Sequence, residues 1–297
     1  MATFSHLPPK AIYPAPSLEG ALTSDATVPW TAAPEARGGP GTPILERSFV
    51  LIDRVGVRTE RRIWDQGVRH WDHFLDRRTV GPFSPARKAE ADAVIERAKE
   101  ALRGRDAGFF QSRLGGPHIW RLYPSFAREA AFVDIETTGI SRHSAITVVG
   151  VLRGDRFTHL VRFRDLTRGE LSAALGDAPL LVTYNGAGFD LPMLRLHYPV
   201  PELMLPHLDL RYVAHRVGLH GGLKRIERAI GVVRDREFAM MTGEDAVHLW
   251  HLWERKGNAR ALDLLLRYNR ADVVNMRAVA EHVCAESERM ALPPEAA

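Results

Sequence analysis

The sequence has almost no cysteine and no long apolar run. Its single cysteine, Cys284, excludes an internal disulfide and a thiolate zinc cage, and it fits the reducing cytoplasm. No stretch approaches the roughly 20 apolar residues that cross a bilayer, and the first residues lack the order of charged, apolar and small residues of a signal peptide. We therefore expect a cytoplasmic protein without a membrane segment, whose metal sites would use carboxylates or histidines.

The chain also has little excess charge. Its 40 basic and 36 acidic residues give a net charge of +4, although 35 of the basic residues are arginines. This mild excess permits a polyanionic partner but does not establish one. The proportions of hydrophobic (45%) and charged (26%) residues are those of a soluble globular protein.

Composition divides the 297 residues into five segments. Residues 1–45 contain 8 of the 19 prolines and predict a disordered tail. Apolar clusters around glycine turns predict two short helices in residues 46–82, and a serine followed by strong helix formers predicts a connector helix in residues 83–124. Residues 125–285 hold the densest apolar runs, and residues 286–297 are expected to be a second tail.

The segment from 125 to 285 alternates strands and helices. An apolar strand containing AAFVDIET precedes a predicted hairpin, AITVVGVLRG and RFTHLVRF. A short helix, the strand APLLVTYN and a glycine-rich turn into another helix follow, and from Leu208 onward we expect mostly helix. This order indicates an α/β fold.

Two acidic side chains lie at the end of the first strand. Strand alternation places Asp134 and Glu136 on one face of AFVDIETTG, opposite Val133 and Ile135. The ends of buried strands are where α/β sheets usually carry ligand-binding groups. A solvated strand end is the alternative.

Asp190 stands where the glycine-rich turn gives way to a helix, with proline two residues later. This pattern is typical of an N-cap. Capping does not exclude function, because one carboxylate oxygen can accept an amide while the other faces a metal.

The third acidic position lies on the long C-terminal helix. A helical stripe of apolar side chains is interrupted at Asp272, and Tyr268 stands one turn earlier. A buried carboxylate is costly unless it pairs with a cation or binds a metal. An ion pair with arginine and a metal site are both open, and Tyr268 fits either an aromatic core or the same site.

The four acids are easier to explain together than singly. Clustered carboxylates repel one another unless a hard cation neutralises them, and oxygen ligands suit Mg²⁺ or Mn²⁺. Two such ions about 4 Å apart activate water and stabilise the leaving oxygen in phosphodiester hydrolysis.

The motifs DIETTG, YNGAGFD and YNRAD, in that order, resemble the DEDD 3′→5′ exonucleases of the ribonuclease H-like superfamily. The Tyr-x-x-x-Asp spacing is similar to the tyrosine subclass. WRLYPSF, GGLKRIERAIG and YNRADVVNM resemble the YprB-type branch of predicted exonucleases. The resemblance covers about residues 118–284.

The resemblance implies a ribonuclease H-like mixed sheet flanked by helices and a nuclease that uses two divalent metal ions, Mg²⁺ or Mn²⁺. It makes Asp134, Glu136, Asp190 and Asp272 the metal ligands and Tyr268 the group that orients the attacking water. It also places three residues near the terminal nucleotide of the substrate: Thr137, Asn185 and Phe189.

Residues 46–82 form the small all-helical N-terminal module of this expected fold. The segment IDRVGVRTERRIW resembles a helix-hairpin-helix element that binds phosphate through backbone amides, with Arg58, Arg61 and Arg62 supplying charge. Arg54 replaces the usual first glycine of the hairpin. A module that packs or docks a protein partner is therefore an equal alternative.

These observations predict a 3′→5′ exonuclease that acts on DNA or RNA. The alternatives are a non-catalytic nucleic-acid-binding or scaffold protein that retains the fold and a structure-specific endonuclease. The sugar preference does not follow from the sequence, because recognition of the 2′-hydroxyl depends on pocket geometry.

Overall fold

A mixed sheet of six strands forms the centre of the computed structural model, which describes residues 25–27 and 42–293. The spatial order of the strands is β1-β4-β3-β2-β5-β6. β2, β5 and β6 run parallel, whereas the β2–β3, β3–β4 and β1–β4 pairs are antiparallel. The strands are β1 (Asp25–Thr27), β2 (Ala131–Thr137), β3 (Ile146–Arg153), β4 (Arg156–Val161), β5 (Leu181–Thr183) and β6 (His207–Asp209). The expected α/β class is confirmed.

Helices cover both faces of the sheet. Those between β1 and β2 are α1 (Val57–Asp65), α2 (Trp71–Asp76), α3 (Pro85–Arg103), α4 (Ala107–Leu114) and α5 (Tyr123–Phe126). Those after β4 are α6 (Arg168–Leu175), α7 (Asp190–His197), α8 (Leu210–Arg216), α9 (Leu223–Ala229), α10 (Arg236–Ala239), α11 (Gly243–Lys256) and α12 (Ala259–Ala291). No helix among the described residues is long and apolar enough to span a membrane.

The two faces of β2 contact different helices. Ala131, Val133 and Ile135 pack with apolar side chains of α6 and α7. Phe132 packs on the other face with α8, α12 and the N-terminal helices. The predicted alternation is thus correct, and it directs Asp134 and Glu136 toward the α12 side.

The N-terminal module is helical, as expected, and is joined to the rest of the protein by one hydrophobic core. The apolar core around Phe49, Trp71 and Phe110 continues to Phe132 of the sheet. A buried ion pair reinforces this junction, because Arg121 donates through two nitrogens to Glu60 at 2.7 and 2.8 Å.

Both predicted tails contain ordered elements. Residues 25–27 form β1, within the segment for which we expect disorder, and the structure describes Ile44 and Leu45 as fully buried. The rest of residues 1–41 lies outside the described residues. At the other end, α12 runs to Ala291 instead of stopping at 285, because its face remains buried through Ser287.

The strand β6 is absent from our sequence interpretation, which assigns mostly helix after Leu208. Its three residues are too few to show a strand period, and their extended form comes from parallel pairing with β5.

A glycine lets α12 approach the sheet. Gly150 of β3 pairs with Asp134 of β2, and a Cβ at Gly150 would lie 2.2 Å from Asn269 Oδ1 and 2.9 Å from Val273 Cγ2. Both neighbours belong to α12. The absence of a side chain at this position therefore sets how closely the helix that carries Asp272 packs on the strand that carries Asp134.

Gly150→Ala should destabilise the protein, by about 1–3 kcal/mol, because the added methyl overpacks the contact between β3 and α12. Urea unfolding measures the change. Gly243→Ala is the matched control, since no atom lies within 4 Å of a Cβ at that helix start, and alanine is the better helix former. Equal effects of the two substitutions would contradict the close-approach explanation.

Candidate functional site

Three carboxylates from two elements meet at one place. Asp134 and Glu136 come from β2, and Asp272 comes from α12. One oxygen from each lies within 4.8 Å of the others. Glu136 and Asp272 are buried, whereas Asp134 is partly exposed. The group thus combines the strand pair and the helix position that the sequence pattern selects separately.

Asp190 lies beside this group. It is the first residue of α7, and Phe189 occupies the N-cap position, so the interpretation of Asp190 as the cap of this helix is wrong. Its Oδ1 instead accepts the backbone N–H of Ile135 at 3.2 Å. Since Ile135 separates Asp134 from Glu136, this bond fixes Asp190 against the acidic end of β2.

Burial and mutual repulsion oppose ionisation of these acids. Burial raises the pKa of Asp134 well above its usual range, and the charges of Asp190 and Asp272 raise it further. The pKa of Glu136 is raised by burial and then by Asp272 and Asp190. Burial also raises the pKa of Asp190, to about 7. The metal-free cluster is therefore electrostatically unfavourable when fully ionised.

The donor set fits a hard divalent cation. It consists of carboxylate oxygens only, from separate elements that the fold holds together. Mg²⁺ and Mn²⁺ prefer such ligands, and a cation would relieve the repulsion that raises the pKa values.

Tyr268 lies at the edge of the cluster. Its side chain is buried one helical turn before Asp272, and Lys224 Nζ of α9 stands 4.6 Å from the centre of its ring. The pKa of Tyr268 is raised by burial and by the charges of Asp272 and Glu136. The hydroxyl therefore stays protonated beside the carboxylates and can donate a hydrogen bond there.

Asp272 also has a cationic partner. Arg234, between α9 and α10, binds Asp272 through Nη2 and binds Glu227 of α9 through Nε and Nη2. The predicted ion pair of the buried aspartate with an arginine is therefore confirmed, and Asp272 also lies in the acidic group that could hold a metal ion. Our sequence interpretation does not identify Arg234 or Glu227, because nothing in their spacing connects them with a residue on a different helix.

Asn269 is a second residue that our sequence interpretation does not identify as part of the site. Its Nδ2 donates to Asp134 Oδ2 at 2.9 Å, and the side chain is fully buried against Gly150. A signal exists in the sequence, since Asn269 is a polar residue on the buried side of the helix, one turn before Asp272.

The glycine-rich turn before α7 is held by Asp209, at the end of β6. Its two carboxylate oxygens accept the backbone N–H groups of Asn185, at 2.7 Å, and Ala187, at 3.0 Å. The Asn185 backbone adopts a left-handed φ of 65°, a conformation that asparagine tolerates. The side-chain Oδ1 of Asn185 accepts a hydrogen bond from Arg211 Nη1 at 2.6 Å.

The other two predicted substrate contacts flank the acids along the chain. Thr137 follows Glu136 in β2, and its hydroxyl donates to the Gly139 carbonyl at 2.6 Å. Phe189 precedes Asp190 and packs partly buried on the core beneath α7. Contact of Thr137, Asn185 and Phe189 with a nucleotide remains a prediction.

Fold and site together define an α/β protein with an acidic cluster between its central strand and its C-terminal helix. The family model RNase_H_2, of the RNase_H superfamily, matches residues 131–284, which contain every element that supplies an acid. The chain belongs to this family. No curated protein sequence matches it significantly.

Two solved structures are similar to the chain at low identity. One is the family B DNA polymerase from the hyperthermophilic archaeon Pyrobaculum calidifontis, at 19% identity and a TM-score of 0.41, covering 52% of this chain and 24% of the polymerase. The other is Escherichia coli RNase D, an exoribonuclease involved in structured RNA processing, at 18% identity and a TM-score of 0.41, covering 58% of this chain and 44% of RNase D. The chain thus spans less than half of either protein.

Mn²⁺ should stabilise the folded protein, by about 1.4 kcal/mol at ten times its dissociation constant, because it binds only the assembled cluster. This corresponds to a rise of a few degrees in Tm. In excess chelator, Asp272→Asn should change stability little, because Arg234 remains paired with Glu227. Thermal melts in chelator and in Mn²⁺ measure both effects.

Asp272→Asn should also abolish most of the Mn²⁺-induced shift. Asp263→Asn, on the same helix at a half-exposed position, is the matched control and should keep the shift. A loss of 3–5 kcal/mol for Asp272→Asn in chelator, as for an isolated buried ion pair that loses one partner, would contradict the arrangement described here.

Proposed function

We propose that the protein is a divalent-metal-dependent 3′→5′ exonuclease that hydrolyses phosphodiester bonds of nucleic acid. The observation that carries the proposal is the group of three carboxylates from β2 and α12, whose oxygens lie within 4.8 Å of one another. Asp190 and Tyr268 complete it. Membership of the RNase_H superfamily across residues 131–284 is consistent with this chemistry.

In this proposal Asp134, Glu136, Asp190 and Asp272 hold two divalent ions, Mg²⁺ or Mn²⁺. When bound, such ions activate a water molecule and stabilise the charge on the leaving oxygen. Tyr268 contributes its protonated hydroxyl, which holds and orients the water for in-line attack.

The remaining residues of the proposed site position these groups. Asn269 holds Asp134 through the 2.9 Å bond to Oδ2, and the Ile135 amide holds Asp190. Thr137, Asn185 and Phe189 contact the terminal nucleotide in this proposal. The Tyr-x-x-x-Asp spacing on α12 supports assignment to the tyrosine subclass of the DEDD exonucleases and, with GGLKRIERAIG, to the YprB-type branch.

The N-terminal module contributes nucleic-acid contacts in the same proposal, through a helix-hairpin-helix-like turn. Arg54 has a left-handed φ of 62°, the backbone form that glycine supplies in such hairpins. Gly56 occupies the N-cap position of α1, so no side chain caps the first backbone amides of this helix. Arg58, Arg61 and Arg62 are exposed. Docking of a protein partner on residues 46–82 is the alternative, and the salt dependence of DNA binding distinguishes the two.

The protein should degrade end-labelled nucleic acid from the 3′ end in Mg²⁺ or Mn²⁺, and not in excess chelator. Single-stranded and duplex DNA and RNA, labelled at the 5′ end and digested in parallel, give the polarity and the sugar preference on one gel. Cleavage of a circular or end-blocked substrate would instead indicate an endonuclease.

Asp134→Asn should lower this activity by about 10³-fold or more, because it removes a ligand on which the chemical step depends. Asp177→Asn, at an exposed position, is the control and should keep full activity. A wild-type protein that binds nucleic acid without cleaving it would favour the non-catalytic scaffold.

Tyr268→Phe should lower kcat by about 10²-fold with little change in KM, because the hydroxyl orients water and does not hold the substrate. Steady-state kinetics on a labelled oligonucleotide separate the two constants. Tyr212→Phe, at an exposed site on α8, is the matched control. A change confined to KM would place Tyr268 among the substrate contacts.

Arg58→Gln with Arg62→Gln should weaken binding of single-stranded DNA and flatten its salt dependence. On single-stranded DNA, each lost phosphate contact lowers the magnitude of the slope of log K against log salt by about 0.7. Point variants are preferable to truncation because apolar side chains between Ile44 and Phe126 share one core with the sheet. Fluorescence anisotropy in chelator measures binding without cleavage.

The matched control for this test is Arg164→Gln with Arg168→Gln, which removes two exposed arginines near α6. It should leave the salt slope unchanged. An unchanged slope in the Arg58 and Arg62 variant would favour the docking interpretation of the module.

A further inference from the structure

A chain of three buried charged residues leads to the carboxylate cluster from the side of α9. Arg234 lies between Glu227 and Asp272 and contacts both. The side chain of Arg234 is 5% exposed and that of Glu227 is 1% exposed. Neither belongs to the metal ligands or substrate contacts proposed above, so their burial beside the cluster requires its own explanation.

Glu227 fixes the orientation of Arg234 before Arg234 reaches Asp272. Nε and Nη2 of the guanidinium bind the two carboxylate oxygens of Glu227, with Nη2 at 2.6 Å from Oε1. This two-point contact determines the plane of the guanidinium. An arginine that served only to neutralise Asp272 would not need a second buried carboxylate.

The free end of the guanidinium faces Asp272. Nε and one hydrogen of Nη2 face Glu227. The other hydrogen of Nη2 therefore lies on the terminal edge of the guanidinium, which Nη2 shares with Nη1, and this edge contacts Asp272. A planar guanidinium directs one hydrogen from each terminal nitrogen along that edge. Nη1 is buried and has no hydrogen-bond partner among the described residues, so Arg234 offers a two-donor edge on the side of Asp272.

We infer that Arg234, oriented by Glu227, is a positioning residue for Asp272. It holds Oδ1 of that carboxylate and so fixes its rotation next to Asp134 and Glu136. The negative charge of Glu227 balances the positive charge of Arg234. The Glu227–Arg234 pair therefore orients Asp272 without adding a net positive charge to the cluster. This inference rests on the proposed function insofar as it takes Asp272 to be a metal ligand.

Two physical effects predict opposite results when Arg234 is removed. Loss of a nearby positive charge by itself strengthens the attraction of the cluster for a divalent cation. Loss of a hydrogen bond that orients a metal ligand weakens binding, typically by about 10–100-fold. The sign of the change in Mn²⁺ affinity therefore decides whether Arg234 acts by position or only by charge.

Isothermal titration of the 297-residue chain with Mn²⁺ makes this measurement. We expect Arg234→Gln to raise the Kd for Mn²⁺ by about 10-fold or more. Arg234→Lys keeps the charge but cannot form the fork to both carboxylates, so it should not restore the affinity. Glu227→Gln combined with Arg234→Gln avoids a stranded buried charge and should weaken binding as much as the single variant.

The matched control is Glu60→Gln combined with Arg121→Gln. It neutralises a buried two-point Arg–Glu pair of the same kind, which joins the N-terminal module to Arg121 and lies outside the acidic cluster. Melting temperatures in chelator confirm that all variants are folded, and the control should bind Mn²⁺ with wild-type affinity. In nuclease assays the Arg234 variants should lose kcat with little change in KM.

The inference is overturned if Arg234→Gln binds Mn²⁺ as tightly as the wild type or more tightly, if Arg234→Lys restores the affinity, or if the control pair weakens binding equally. A wild type that binds no Mn²⁺ overturns it as well. Failure of the proposed function has a different signature: the wild type binds Mn²⁺ and Arg234→Gln weakens binding, but no nucleic acid is hydrolysed.

Discussion

The contact between α12 and the strands β2 and β3 determines the geometry of the candidate site. An apolar stripe of α12, including Val273 and Met276, is buried in the core that also contains Phe132. Burial of such side chains supplies most of the stability of a long helix. Gly150 permits the close approach. Once the helix is seated, Asn269 reaches Asp134, and Asp272 lies beside Asp134 and Glu136. The same packing that stabilises the fold thus assembles carboxylates that repel one another.

The fold tolerates this repulsion through pairs of charges placed around the cluster. Asp272 is bound by Arg234, whose own charge is matched by Glu227. Lys224 adds a half-buried positive charge that faces Asp272 and Glu136. Because Glu227 offsets Arg234, the cluster keeps the excess of negative charge that a divalent cation would need. Without Glu227, the positive charge of Arg234 would stabilise the metal-free cluster and would weaken its attraction for a divalent cation.

The N-terminal helices are part of the same folded unit even though the family match begins at residue 131. Their aromatic side chains share one apolar core with Phe132 of β2 and Val279 of α12. The buried Glu60–Arg121 pair also accepts two backbone amides, those of Phe49 and Val50, through Glu60 Oε1. Any nucleic acid or protein bound at residues 46–82 would therefore be held at a fixed orientation to α12.

The features that depend on local periodicity can be predicted from the amino-acid sequence. The two faces of β2, the β3–β4 hairpin and the stripe on α12 follow from alternation, turn residues and helical spacing, because residues close together in the chain suffice to show them. The same local patterns offer Asp134, Glu136, Asp190, Tyr268 and Asp272 as candidates, and the resemblance of their three motifs to a known family connects them as one site. Other features depend on the approach of segments that are distant in the chain, and they become visible only in the folded protein. These features are the three-residue strand β6, the end of α12 at Ala291, the bond from Ile135 to Asp190, and the contacts of Asn269 and Arg234 with the acids. The sequence carries no periodic pattern that shows which side chain on another element a residue will contact, because packing and not local conformation brings the two together.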